Sequence, residues 1–234
     1  MRYLIKFSKE SQIKFVSHLD LMRTIQRIIR RAALPIEFSN GFNPHMAISI
    51  AQPLAVGMYS RGDYMDIQLS EELEEDYIKE AFNKNAPEGV KASVVKKVHS
   101  FENEKKIPQA MALIDAAAYV ITLKYNDISK TEEELLKLLK LERWDIIKKS
   151  KSGEKPINIL DYLIDFKYKV EGKSLIITAI TACGSKENLS AELLARYIID
   201  NTTNSNTEAF VDIMREDMYV KKGSELVSIS DLFS

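Results

Sequence analysis

Apolar and polar positions alternate at Tyr3, Ile5 and Phe7, the period-two signature of a half-buried strand. The period then changes. Leu21, Met22, Ile25, Ile28, Ile29 and Ala32 recur at helical spacing. Ser17 stands where a cap is needed, and Asp20, three residues on, can answer it. Pro35 stops this helix because it has no N–H to continue it. Short strands are predicted around 36–38 and 47–50, parted by the turn formers Ser39-Asn40-Gly41-Phe42-Asn43-Pro44. Residues 64–69 alternate again, with Met65, Ile67 and Leu69 inward and Asp66 and Gln68 outward. Ser70 is the predicted cap of an acidic helix with the buried stripe Leu73, Tyr77, Ile78, Ala81 and Phe82, and a strand at 90–98 closes the unit.

After a polar stretch at 100–109 the same order returns. A strand is predicted at 119–123, and Thr131-Glu132-Glu133-Glu134 reads as a capping box before Leu135, Leu136, Leu138 and Leu139. Residues 144–147 read as a strand, and 163–170 with 175–181 read as a hairpin turned by Glu171-Gly172. Ser190 caps a helix bearing Leu193, Leu194, Tyr197 and Ile198, and 210–214 is the last strand. The expected class is therefore α+β, with two ferredoxin-like (βαββαβ) domains and antiparallel sheets, at 1–104 and 110–234.

Composition narrows the function. Lys plus Arg (33) nearly cancels Asp plus Glu (34), a formal charge of -1, so a protein basic over its whole surface is excluded. With 45% apolar and 29% charged residues the chain is an ordinary globular one. Cys183 is the single cysteine, so no internal disulfide forms and no cysteine-held cluster can be built. No cofactor is expected. The amino end interleaves charges with apolar residues and lacks the core of an export signal. The most apolar stretch, 111–123, carries Asp115 and falls short of the ~20 residues that span a bilayer. A cytoplasmic location away from membranes is the expectation.

The charges are unevenly placed. Residues 1–50 hold eight bases against three acids, whereas 70–88 hold seven acids against two lysines. On the first helix Arg23, Arg27, Arg30 and Arg31 fall within about 100° of arc, opposite the apolar face. Such a stripe suits either a solvated face or bidentate contact with phosphates, and arginine favours the second. A second basic group includes Lys151 and Lys155 in a predicted turn. His18 lies in the first turn of the arginine helix and His45 follows Gly41-Phe42-Asn43-Pro44. Together they are candidate general acid and base, since imidazole titrates near neutrality. A metal site is not expected, because His18 and Asp20 point apart on one helix. No phosphate loop, dinucleotide fingerprint or nucleophile elbow is present.

Ser17-His18-Leu19-Asp20-Leu21-Met22-Arg23, with Gln26-Arg27 and Arg30-Arg31-Ala32, resembles the opening of the radical-SAM-linked proteins, a bacterial domain of unknown function. Ser39-x-Gly41-Phe42-Asn43-Pro44-His45 and Pro53-Leu54-Ala55-Val56-Gly57-x-x-Ser60-x-x-Asp63-Tyr64-Met65-Asp66 continue it. Lys151-x-Gly153-x-Lys155-x-Ile157 and Arg215-Glu216-x-x-Tyr219 extend it. The chain departs from that pattern at Met46 and Ala47, where a proline and a base are usual, and at Asp63, where a glutamate is usual. The resemblance implies a radical SAM protein as partner and supplies no activity of its own.

The reading that joins these features is a non-catalytic RNA-binding accessory domain serving a radical SAM RNA-modifying enzyme. Arg23, Arg27, Arg30 and Arg31 would hold phosphates of a structured RNA, Phe42 would stack on a base, and Asn43 and His45 would reach nucleotide edges. The alternatives are a metal-independent RNA-processing or nucleotide-modifying enzyme using His18 and His45, and a protein-docking module.

Overall fold

The computed structural model describes residues 1–99, 107–150 and 153–233, with Lys149 and Ser150 described by their backbone alone. The protein is α+β with antiparallel sheets, and it divides into two compact units. No helix among the described residues is long and apolar enough to cross a membrane.

The first unit comprises Met1–Asp115 together with Arg215–Ser234. Its elements in order are β1 (Arg2–Lys9), α1 (His18–Arg31), β2 (Ile48–Ile50), β3 (Tyr59–Gln68), α2 (Glu75–Asn85), β4 (Val90–Lys97) and the short helix α3 (Ala110–Leu113). β1 lies between β4 and β3, and β2 pairs with the far side of β3, so the spatial order is β4-β1-β3-β2 with every neighbour antiparallel. That is the order of a split βαβ unit. Tyr3, Ile5, Phe7, Met65, Ile67 and Leu69 form one core with Leu21, Ile25, Ile28 and Ile29 of α1 and Ile78 and Phe82 of α2.

The helix signals acted locally for α1. The Ser17 hydroxyl accepts from the Asp20 N–H at 3.2 Å and donates to the Asp20 carboxylate at 2.7 Å. Beyond Arg31 the chain closes with Leu34 N–H on the Ile29 carbonyl, which places Ala33 at φ 51°, a conformation that favours glycine. The cap of α2 differs from expectation. The Ser70 hydroxyl and N–H both donate to the Pro35 carbonyl, so the helix begins later, at Glu75, and Tyr77 is exposed.

The second unit is Ala116–Met214. It holds β5 (Ala116–Lys124), α4 (Thr131–Leu138), β6 (Asp145–Ser150), β7 (Gly153–Asn158), β8 (Leu163–Glu171), β9 (Ser174–Ala182) and α5 (Ala191–Asp200). β5, β9 and β8 are successive antiparallel neighbours, and β6 with β7 forms a separate hairpin. Trp144 precedes β6 instead of starting it, and its ring is fully buried. It stacks on Tyr197 at 5.2 Å and meets Phe166 edge-on at 5.9 Å, with its indole N–H on the Leu138 carbonyl. Thr131 is the first residue of α4 and does not cap it, its hydroxyl being buried with no hydrogen-bond partner among the described residues, and Glu134 instead accepts from the Thr203 N–H and hydroxyl. Ser190 caps α5 through the Leu193 N–H, as its position predicted.

The last strands, β10 (Asp212–Lys222) and β11 (Glu225–Ser228), divide the chain differently from the expected 110–234 block, since everything from Arg215 on belongs to the first unit. There β10 runs so close to β3 that a side chain on Gly62 would come within 2.4 Å of the Glu216 carbonyl. This return also explains why β1 is buried on both faces. Leu4 is as inaccessible as Ile5, because the 3-10 turn Ile229–Phe233 packs across the second face of the sheet.

Candidate nucleic-acid interface

α1 presents the arginine stripe on a helix capped at its start by Ser17. Arg23, Arg27, Arg30 and Arg31 are all exposed, while Leu21, Ile25, Ile28 and Ile29 anchor the opposite side. Arg23 meets Asp20 at 2.9 Å. The Ser17 hydroxyl, and then Arg23, hold the Asp20 carboxyl below the usual carboxylate range. Among the described residues no carboxylate lies within 4 Å of the guanidiniums of Arg27, Arg30 or Arg31. Three cations on other helices do have such partners: Lys79 with Asp76, Lys137 with Glu133 and Arg196 with Asp200, although Lys84 at the end of α2 has none among the described residues. Those i,i+3 and i,i+4 pairs are the ordinary way a helix surface neutralises itself.

Beneath the start of α1 lies a buried ionic cluster that sequence reasoning missed. Arg215 donates from Nε and Nη2 to the Asp63 carboxylate at 3.0 and 2.5 Å, and from Nη2 to the Gln52 carbonyl at 2.6 Å. Both side chains of the pair are only 2% exposed. Lys9, 1% exposed, donates its ammonium to the carbonyls of Lys14 and Val16 at 3.0 and 2.9 Å. Burial pushes the Lys9 ammonium below its usual pKa, and the Asp63 charge opposes that shift. One of the eight bases counted toward a basic surface is therefore interior. Asp63 and Arg215 were visible as motif positions, but nothing local marks Lys9 as buried.

A second network joins β1, β3 and the returning strands. The Asp217 carboxylate accepts from the Tyr64 hydroxyl at 2.6 Å, from Lys6 at 2.7 Å and from Ser228 at 3.0 Å. Burial, followed by the Asp217 charge, raises the Tyr64 pKa. Asp66, expected to face solvent, is 4% exposed and accepts from the Ala110 N–H at the start of α3. Burial pushes its carboxyl up, and neither that N–H nor Arg2 at 3.6 Å offsets it.

The loop carrying Phe42, Asn43 and His45 is closed at its base by the Phe38↔Met46 bridge and by hydrogen bonds between Ser39 and His45. Phe42 is fully exposed, and Asn43 and His45 are exposed beside it. Gly41 adopts φ 129°, the left-handed region that a turn of this kind requires. His18, the first residue of α1, is half-buried, and no hydrogen bond joins it to His45 among the described residues. Among those residues no group of three or more His, Cys, Asp or Glu is placed to hold a metal. Lys155 is exposed on β7 of the second unit, and Lys151 lies outside the described residues.

This is an α+β protein whose first unit presents a cationic helix above a buried ionic cluster. The chain belongs to the family described as "uncharacterized protein conserved in bacteria (DUF2344)", which matches residues 2–191. A comparison with curated proteins gave no match. Among solved structures, it overlays a chain from the crystal structure of a Cbf5-Nop10-Gar1 complex with a TM-score of 0.49 and 10% identity, covering 99% of this chain and 53% of that one. The protein thus spans about half the length of that neighbour. An unknown protein from Galdieria sulphuraria overlays with a TM-score of 0.26 and 12% identity, over 97% and 98% of the two chains.

Proposed function

We propose that this protein is an RNA-binding accessory protein, that α1 holds RNA phosphates through Arg23, Arg27, Arg30 and Arg31, and that it serves a radical SAM RNA-modifying enzyme. One observation carries the RNA reading. Arg27, Arg30 and Arg31 share one exposed face with no carboxylate within 4 Å among the described residues, while Lys79, Lys137 and Arg196 on other helices each have a carboxylate partner one turn away. Guanidiniums left unneutralised on a rigid helix have given up an available internal partner, and phosphate is the ligand their fork fits. Phe42, Asn43 and His45 stand on a closed, exposed loop of the same unit, where a splayed base can stack and pair its edges. Lys151 and Lys155 supply a separate backbone contact on the second unit. The radical SAM partner rests on the motif resemblance around Ser17–Arg23 and Ser39–His45, and the protein's part is to present the RNA.

The test is RNA retention by the full chain. Affinity for RNA falls with salt, with a logarithmic slope of about 0.7 per phosphate held on a single strand. Exchanging Arg27 and Arg31 for Glu abolishes retention at a salt where the wild type binds. Retention unchanged in that double variant would overturn the reading.

A further inference from the structure

We propose that the RNA element held at α1 is an unpaired stretch, whose bases lie on an apolar platform formed by Phe15, Leu19 and Val56 at the amino end of the helix. The inference rests on the RNA reading above and specifies which part of a structured RNA is gripped.

These three side chains are 63%, 64% and 57% exposed. Leu19 precedes Arg23 by one helical turn and shares its side of α1, so the cationic stripe runs directly into the apolar end. Phe15 lies in the turn leading into that helix, and the Lys14 ammonium sits 5.7 Å from its ring centroid. Val56 precedes Gly57, whose N–H donates to the Lys14 carbonyl at 2.9 Å and so brings that stretch of backbone next to the turn that carries Phe15.

The buried cluster explains how such a patch stays in place. Lys9 grips the carbonyls of Lys14 and Val16, which flank Phe15 on both sides. Arg215, seated on Asp63, grips the Gln52 carbonyl at the start of the loop that carries Val56. The backbone is nailed from below while the apolar side chains face outward. A pre-positioned platform loses little conformational freedom when a ligand covers it.

The chemistry of the neighbouring face selects the occupant. A stripe of guanidiniums calls for a polyanion, and an aromatic at its end calls for a flat apolar partner. A paired helix offers phosphates and sugars but keeps its bases stacked inside, so it satisfies the stripe and leaves Phe15, Leu19 and Val56 uncovered. An unpaired strand satisfies both, with phosphates along α1 and bases against the platform.

The test compares a mixed-sequence single-stranded oligoribonucleotide with the same strand annealed to its complement, using the full chain at one fixed salt. The wild type binds the single strand more tightly. Phe15→Ala weakens single-strand binding about ten- to a hundred-fold, the worth of one stacking contact, and leaves duplex binding and the salt slope unchanged. Phe15→Trp restores the single-strand affinity. Leu19→Gln, on an exposed helical position, gives a smaller loss in the same direction and serves if the Phe15 variant fails to fold. Equal affinity of the wild type for both probes overturns the proposal, and so does a Phe15→Ala loss that is the same for both. If the Arg27→Glu, Arg31→Glu pair abolishes binding while Phe15→Ala and Leu19→Gln change neither probe, the RNA reading stands and the platform falls. A wild type that binds neither probe overturns both, and leaves the patch to a protein.

Discussion

Beneath α1 the first unit buries Lys9, Asp63 and Arg215, whereas the second unit centres on Trp144 packed between Tyr197 and Phe166. The two solutions do different work. Ring packing stabilises mainly through the area it removes from water, and in Trp144 only the indole N–H fixes a backbone atom, the Leu138 carbonyl. A buried charge tolerates few arrangements, because each N–H and lone pair needs a partner. Lys9 and Arg215 spend their donors on main-chain carbonyls at 14, 16 and 52, so the charges specify where three stretches of backbone lie. The unit that carries the candidate interface is the one built with such pins.

That contrast can be broken most severely at Arg215. Arg215→Ala leaves the Asp63 carboxylate buried and uncompensated and lowers stability by about 3–5 kcal/mol in denaturant unfolding. Trp144→Ala costs a similar ~3–5 kcal/mol through the cavity it opens. The difference lies in rescue. An Asp63→Leu, Arg215→Met double variant recovers most of the loss in stability, because a buried pair is worth little net against apolar packing. It does not recover RNA binding, because the Gln52 carbonyl has lost its donor. A double variant as unstable as Arg215→Ala alone would show that the pair itself supplies the stability.

A smaller effect is expected at Asp66 of β3. Asp66 is raised by burial, so the native state takes up its proton before the unfolded state does. Its contribution therefore favours folding more as pH falls through the raised value toward the ordinary 3.8, and is lost as pH rises. The stability of the wild type relative to Asp66→Asn should increase over that window, and a flat difference would contradict the assignment. Smallest of all, Ala33→Gly relieves the φ of 51° at the end of α1 and raises stability by about 1 kcal/mol, with RNA affinity unchanged.

What the sequence disclosed followed the range of the interactions. Ser17, Asp20 and the stripe from Leu21 to Ala32 act within one helix, and α1 could be read in full, arginine face included. The strand alternation at Tyr3, Ile5, Phe7 and at Met65, Ile67, Leu69 was equally local, and so was the α+β order. Ser70 and Thr131 look like caps, yet Pro35 claims the first hydroxyl and Thr203 draws away the glutamate that should complete the second. Lys9 looks like any surface lysine until β10 brings Arg215 back beside Asp63. Asp66 reads as outward because a strand face has no way of announcing that a short helix from 110 will cover it.

The return of Arg215–Ser234 to the first unit has a consequence for biosynthesis. On the ribosome residues 1–115 emerge before 215–234, and their fold is incomplete until that later segment has followed. Asp63, Lys6 and Tyr64 must wait for Arg215 and Asp217, whereas Ala116–Met214 is contiguous and can fold as soon as it is out. Order of synthesis and order of folding are thus reversed. A chain cut after residue 214 would carry a finished second unit and an arginine helix without Arg215 beneath it, so the proposed engagement of RNA would require residues 215–234.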